Sequence, residues 1–268
     1  MTGTLNIGPF VLTYDRLLAL GLILILLVLS EFLSRRSNSK LSTHVWISLL
    51  VGVGVARLAY VLLNWSAFAV DPWTIAAIWQ GGFLLWPGAI AAAGALLLFQ
   101  GLHRASLMLT AAIAVLALTF SITNAALLAA EPKPLPKGLT VTSLDGNQVS
   151  LDTLESQPFI VNLWATWCPP CQREMPMLVD VASTSSVPIL LANQGETLDT
   201  IRRYLDRKGF DTGAVWRDPD YSLQSVTASP VLPTTFFVDQ SGMVTHIHTG
   251  EISRAALKKQ IRKLEKTR

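Results

Sequence analysis

The sequence predicts two folds in series: an α-helical membrane domain of about four transmembrane helices, followed by an α/β domain. Three observations predict this. Charged residues are sparse before Glu131 and frequent after it; apolar stretches near the length of a bilayer crossing fill the first half; strand and helix patterns alternate through the second. Hydrophobic residues make up 51% of the chain and charged ones 15%, averages that describe neither half. Ahead of Glu131 the charges are Asp15, Arg16, Glu31, Arg35, Arg36, Lys40, Arg57, Asp71 and Arg104. The net charge of +3 is small and tied to loops and the C-terminal helix, which excludes a nucleic-acid partner.

The apolar stretches run from about Phe10 to Leu29, Val45 to Leu63, Ile75 to Phe99 and Leu107 to Ala130. Each approaches the roughly 20 residues needed to cross hydrocarbon. The first is expected to be retained rather than cleaved as a secretory signal, because no basic residue precedes Arg16 and no small-residue cleavage site follows. Orientation follows from the short loops, since Lys and Arg stay on the cytoplasmic side. Arg35, Arg36 and Lys40 mark the loop between the first two spans, and Arg104 the loop between the last two. The loop from Asn64 to Trp73 carries Asp71 and no basic residue, so it belongs outside, with the N-terminus and everything after Ala130. In a Gram-negative bacterium this predicts a multi-pass inner-membrane protein with its C-terminal domain in the periplasm, a compartment that supports disulfide chemistry.

Residues 1–130 are thus expected to form the membrane domain, 131–138 a linker and 139–268 the extracytoplasmic domain. The linker, from Glu131 to Gly138, has three prolines in eight residues and no apolar period, which predicts a semi-extended tether. Beyond it, Leu139–Ser143 and Gln148–Leu151 flank Asp145-Gly146 and read as a hairpin. A strand follows at Phe159–Trp164, a helix to about Ala182, a strand at Val187–Ala192 and a helix near Leu198–Lys208. Strands at Thr235–Asp239 and Val244–Thr249 and a basic amphipathic helix from Ser253 to Lys266 complete an α/β sandwich around a mixed sheet.

The only two cysteines of the chain, Cys168 and Cys171, stand in Trp167-Cys168-Pro169-Pro170-Cys171, directly after an apolar strand pattern. A CxxC at a strand-to-helix junction puts its first sulfur at a helix N-terminus, where unpaired N–H groups and the positive end of the dipole favour thiolate over thiol. The second sulfur lies three residues on, on the same helical face, within reach of a short disulfide. The pair reads as a redox dithiol. Pro169 and Pro170 suit a helix start, because the first turn leaves N–H groups unpaired anyway.

This order of elements, with Trp164-Ala165-Thr166-Trp167-Cys168-Pro169-Pro170-Cys171 and Val231-Leu232-Pro233-Thr234-Thr235-Phe236-Phe237-Val238-Asp239, resembles the thioredoxin fold from about Leu139 onward. Cys171-Gln172-Arg173-Glu174-Met175-Pro176 narrows the resemblance to the TlpA/ResA/DsbE group of membrane-anchored thiol-disulfide proteins. The resemblance implies that Glu174 lies near the dithiol and that the peptide bond before Pro233 is cis. It also implies that Trp167, Leu232 and Pro233 face substrate. Asn162 stands where cytosolic thioredoxins carry a buried Asp that handles the proton of the second cysteine, and Glu174 is the residue positioned to serve instead.

The first half resembles the N-terminal part of prolipoprotein diacylglyceryl transferase. The matching segments are Ile7-Gly8-Pro9-Phe10, Gly52 to Leu62, and Ile78-Trp79-Gln80-Gly81-Gly82-Phe83. Where that family continues into a catalytic His, this chain has Trp86, so lipid transfer is not expected. Arg57, a charge inside a span, needs a partner: an anionic head group or, preferably, helix-end carbonyls.

Thiol-disulfide exchange runs through a mixed disulfide, so Cys168 is expected as an exposed attacker and Cys171 as a buried resolver. The group leans toward protein-disulfide reductases, whose partners are protein disulfides and a transmembrane thiol electron donor of the DsbD type; membrane lipid surrounds the helices. No cofactor and no resident metal are expected. Two other readings remain open: Cu(I) handling by the paired thiolates, and a membrane scaffold with a secondary dithiol. His246 and His248, alternating on one strand, are expected to be solvated rather than metal ligands.

Overall fold

The computed structural model describes residues 4–7, 10–37, 41–128, 131–154, 156–227 and 230–266. Gly8 and Pro9 of the transferase-like motif, Lys40 of the first loop and Ala130 at the end of the fourth expected span lie outside the described residues. The chain divides into two compact units, Thr2–Ala130 and Glu131–Arg268.

The first unit opens with an antiparallel hairpin of β1 (Thr4–Ile7) and β2 (Phe10–Thr13), paired Thr4 to Thr13 and Ile7 to Phe10. The first expected span therefore starts late: Phe10 is strand, and α1 (Tyr14–Ser37) begins after it. Helix α2 (Leu41–Leu63) follows, then the short α3 (Trp65–Phe68), α4 (Leu85–Gln100) and α5 (Arg104–Leu128). Among the described residues, three segments are long and apolar enough to cross a membrane, Tyr14–Arg35, Leu41–Leu63 and Arg104–Ala126.

The third expected span, Ile75 to Phe99, is not one helix. Tight turns at Pro72–Ala76 and Ile78–Gln80 and positive φ values at Gly81 and Gly82 interrupt it. The 16 residues of α4 rise about 24 Å, short of a hydrocarbon core of about 30 Å. The break persists because Arg57 supplies the missing hydrogen bonds. Its guanidinium donates to the carbonyls of Thr74, Ile75, Ala77, Gly81 and Gly82, and it lies over the rings of Phe68 and Phe83 at 5.2 and 5.7 Å. Irregular backbone at membrane depth requires such partners. Arg57 is thus bonded to the carbonyls of the break, the structural role preferred from the sequence.

Helices α2 and α4 approach closely through small residues at four-residue spacing. A Cβ at Gly52 would lie 2.8 Å from the Gly88 carbonyl oxygen and 2.9 Å from Cβ of Ala92, and one at Gly88 would lie 2.8 Å from Cβ of Ala56. Such stripes let helix backbones pack without the hydrophobic driving force that lipid removes.

The second unit is one eight-stranded mixed sheet with helices on its faces. Its elements are β3 (Lys133–Pro134), β4 (Thr140–Ser143), β5 (Gln148–Ser150), β6 (Phe159–Trp164), α6 (Pro169–Thr184), β7 (Ile189–Gln194), α7 (Leu198–Lys208), β8 (Val215–Asp218), α8 (Gln224–Thr227), β9 (Thr234–Val238), β10 (Met243–Thr249) and α9 (Arg254–Lys266). The strand order is β3-β10-β9-β6-β7-β8-β4-β5. Strands β6, β7 and β8 run parallel, and β9 pairs antiparallel to β6. Central β6 is buried on both faces, hence its apolar run, broken only by Asn162, whose amide is hydrogen-bonded. Ile160 and Trp164 point to the side covered by Met175, Leu178, Ile201, Leu205, Leu257 and Ile261. Phe159, Val161 and Leu163 meet Leu135, Val141, Leu151, Phe236 and Val238 on the other.

Two elements depart from the expectation. Strand β8 is a short, polar Val-Trp-Arg-Asp run without a clean alternation, so pattern alone does not mark it. The Pro-rich segment is not a free tether: β3 pairs with Met243 and Val244, the Leu135 N–H donates to the Gly242 carbonyl at 2.9 Å, and Leu135 is buried. One leucine among the prolines suffices to dock the segment, and edge pairing is where proline is tolerated in a sheet.

Candidate functional site: a dithiol at the start of α6

Strand β6 ends at Trp164, whose fully buried indole donates to the Leu191 carbonyl at 3.0 Å and serves the core. Ala165, Thr166 and Trp167 then turn the chain into α6, with Cys168 as its N-cap. Pro169 and Pro170 bring no N–H to the first turn, so the first backbone donor is that of Cys171, which reaches Cys168 Sγ at 3.3 Å. The two sulfurs are joined in a disulfide with Cα atoms 5.2 Å apart.

Cys171 is fully buried and Cys168 only 3% exposed. The exposed attacker expected from the sequence is therefore nearly covered, because Cys168 belongs to the apolar cluster that includes Ala165 and Met175, with Leu232 packed against it. The neighbouring Trp167 is 68% exposed. The Leu232–Pro233 peptide is cis, and the Pro233 carbonyl accepts the Gly250 N–H at 2.8 Å.

Glu174 stands one helical turn beyond Cys171 on the same face, buried. Its Oε1 accepts the Asn162 side-chain amide at 2.9 Å and its Oε2 the Ile252 N–H at 2.8 Å. Burial pushes the carboxyl up to about 8; the neighbouring Glu251 carboxylate adds to this, while the two hydrogen bonds and Arg173 oppose it. Burial therefore favours the neutral carboxyl over the carboxylate. Asn162 also donates to Thr235 Oγ1 at 3.0 Å, so one amide joins β6, β9 and α6 behind the dithiol. Arg173 pairs with Glu251 at 2.7 Å.

A second carboxylate fixes the loop ahead of the cysteines, and the sequence offers no sign of it. Glu196, after β7, accepts the Thr166 N–H at 2.6 Å, the Thr166 hydroxyl at 2.5 Å and the Asn193 amide at 2.7 Å. The Thr166 carbonyl accepts the Gln172 amide at 2.6 Å. His246, expected to be solvated, instead packs on the Phe237 ring at 5.6 Å; burial, then His248 and Lys263, lower its pKa to about 4, so it is neutral at pH 7.

Two family models match. The AhpC/TSA family covers residues 133–247, and prolipoprotein diacylglyceryl transferase covers residues 3–126. Thiol-disulfide oxidoreductase ResA of Geobacillus kaustophilus is 30% identical over 128 residues, 47% of this chain and 73% of that protein. ResA of Halalkalibacterium halodurans is 34% identical over 112 residues, 40% of this chain and 62% of its own length. A crystal structure of a thioredoxin-family thiol:disulfide interchange protein from Chlorobium tepidum TLS aligns over 50% of this chain and 97% of its own, at 26% identity and TM-score 0.44.

Proposed function

Because the chain belongs to the ResA family of thiol-disulfide oxidoreductases, we propose that it works as a membrane-anchored disulfide reductase whose second unit faces the extracytoplasmic space. The observation that carries this reading is the Cys168–Cys171 disulfide capping α6, with the buried carboxyl of Glu174 one turn behind it. In the reduced protein the Cys168 thiolate, held by the Cys171 N–H and the helix dipole, attacks one sulfur of a substrate disulfide. A mixed disulfide forms and one substrate thiolate leaves. The Cys171 thiol, losing its proton to a base, then attacks Cys168 Sγ and releases the second substrate thiolate. Two electrons have passed from the dithiol to the substrate, and two protons complete the two product thiols. Glu174 is the group placed to exchange the Cys171 proton: with a pKa near 8 its carboxylate form, reached by release of its own proton, accepts the proton from the Cys171 thiol.

Trp167, Leu232 and the cis Leu232–Pro233 edge form the substrate-facing rim of this site. The charge bias of the loops supports an inner-membrane, multi-pass anchor with residues 139–268 in the periplasm, and lipid as the surrounding of α1, α2 and α5. No other cysteine exists in the sequence, so electrons must come from outside the chain, from a transmembrane thiol donor of the DsbD type.

The test is turnover of a protein disulfide by the full chain in micelles, with dithiothreitol as electron source. Cys168→Ala is expected to lower turnover to the rate of dithiothreitol alone, and Cys171→Ala, reduced and freed of dithiothreitol before mixing, to stall as a mixed disulfide visible on a non-reducing gel. Full activity in Cys168→Ala would overturn the assignment.

A further inference from the structure

Strands β6, β7 and β8 are parallel neighbours, so their C-terminal ends open on one edge of the sheet. Ligands in open α/β sheets bind at such edges. The dithiol loop follows β6, Gly195-Glu196 follows β7 and Tyr221 follows β8. Among the described residues of the second unit, Trp167 and Tyr221 are the exposed large hydrophobic side chains, 68% and 50% exposed, and both stand on this edge.

The mounting of Tyr221 is specific. It has φ of 58°, a left-handed conformation that a bulky residue adopts at a cost. Its ring lies against Gly195, where a Cβ would be 2.0 Å from the Tyr221 hydroxyl oxygen; Gly195, at φ of 69°, is the notch that admits the ring. The buried carboxylate of Asp218 ties both sides together. It accepts the Ser222 and Leu223 N–H groups at 2.9 and 3.0 Å and the Gln194 amide at 3.1 Å, while its backbone carbonyl accepts the Gly195 N–H at 3.0 Å. Glu196, the next residue, clamps Thr166 and with it the start of the Trp167 loop. Two aromatic surfaces are therefore held on one hydrogen-bonded frame, from the dithiol across β7 to β8. Two strand spacings separate the ends of that frame, about 10 Å, the reach of about three residues of extended chain.

We propose that Tyr221 and Trp167 form a docking ledge for the extended, apolar polypeptide that flanks a substrate disulfide. The proposal rests on the reductase reading and narrows its substrate class: a disulfide within a polypeptide is favoured over a small, isolated one. An exposed aromatic on the same sheet edge as the covered sulfur gives the contact surface that the sulfur itself lacks. Flanking apolar side chains stack on the ledge and bring the substrate sulfur to Cys168, whereas a small disulfide gains nothing from it.

The test compares Tyr221→Gly with the wild-type full chain, both reduced and freed of reductant, in stopped-flow reactions with insulin and with hydroxyethyl disulfide. Glycine suits the left-handed φ, so the variant keeps the backbone of the turn. The expected result is a 5- to 30-fold loss of the second-order rate with insulin, a change below twofold with hydroxyethyl disulfide, and near-complete recovery with insulin in Tyr221→Phe. Equal rates of Tyr221→Gly and wild type on insulin, or an equal loss on both disulfides, would overturn the ledge alone. Wild-type protein inert toward both disulfides would overturn the reductase reading and the ledge with it.

Discussion

Burial sets the proton affinity of Glu174. Its pKa rises from 4.5 to about 8 on folding, chiefly through burial. Between these values the native state keeps a proton that the unfolded chain has released, so stability falls as pH rises, by up to about 1.4 kcal/mol per pH unit, and levels off above pH 8. Glu174→Gln, which keeps the acceptor and stays neutral, is expected to remove this slope. Relative to wild type it gains thermal stability from pH 5 to pH 9, measured by near-ultraviolet circular dichroism of the oxidised protein; parallel curves would contradict the assignment. His246 has the opposite linkage. Its pKa falls from 6.5 to about 4, so its neutral form contributes stability above pH 6.5 that is lost as pH falls toward 4, and His246→Phe is expected to flatten that acid limb in the same scans. The dithiol at a helix start is legible in the sequence because a pair of fixed spacing on one helix needs no tertiary information, whereas Glu174 is singled out only by the family resemblance. Glu196 and Tyr221 are not legible there, since each acts through loops that only the sheet brings together.

At the scale of elements, packing and hydrogen-bond supply decide what periodicity cannot. The α2–α4 contact depends on Gly52 and Gly88, and a larger side chain at either must push the backbones apart. Gly88→Leu is expected to destabilise the membrane unit, seen as a lower thermal transition and earlier aggregation in detergent. Gly21→Leu, at a site with nothing within 4 Å, is expected to leave both unchanged. In the second unit, Leu135→Ala should cost about 2–4 kcal/mol in chemical denaturation, because the leucine that docks β3 leaves a cavity. An exposed tether would show no change. Strand β6 and helix α7 are legible in the sequence, β6 from its apolar run and α7 from its helical period; the structure adds the Thr197 cap and the left-handed Gly209 that bound α7. Hydropathy makes the third span look continuous, because it does not register five carbonyls gathered on one arginine.

At the scale of the whole molecule, a membrane unit without cysteine is joined to a redox unit with a single dithiol. The chain carries out thiol-disulfide chemistry but holds no second pair from which to recover electrons. Its steady state in the cell should then follow its donor rather than its own potential. The most direct test is to trap Cys168 and Cys171 with an alkylating mass tag in intact cells, with and without a functional transmembrane thiol donor. The account predicts a mostly reduced dithiol when the donor is present and a disulfide when it is removed. A dithiol that is oxidised while its donor works would contradict the reductase assignment.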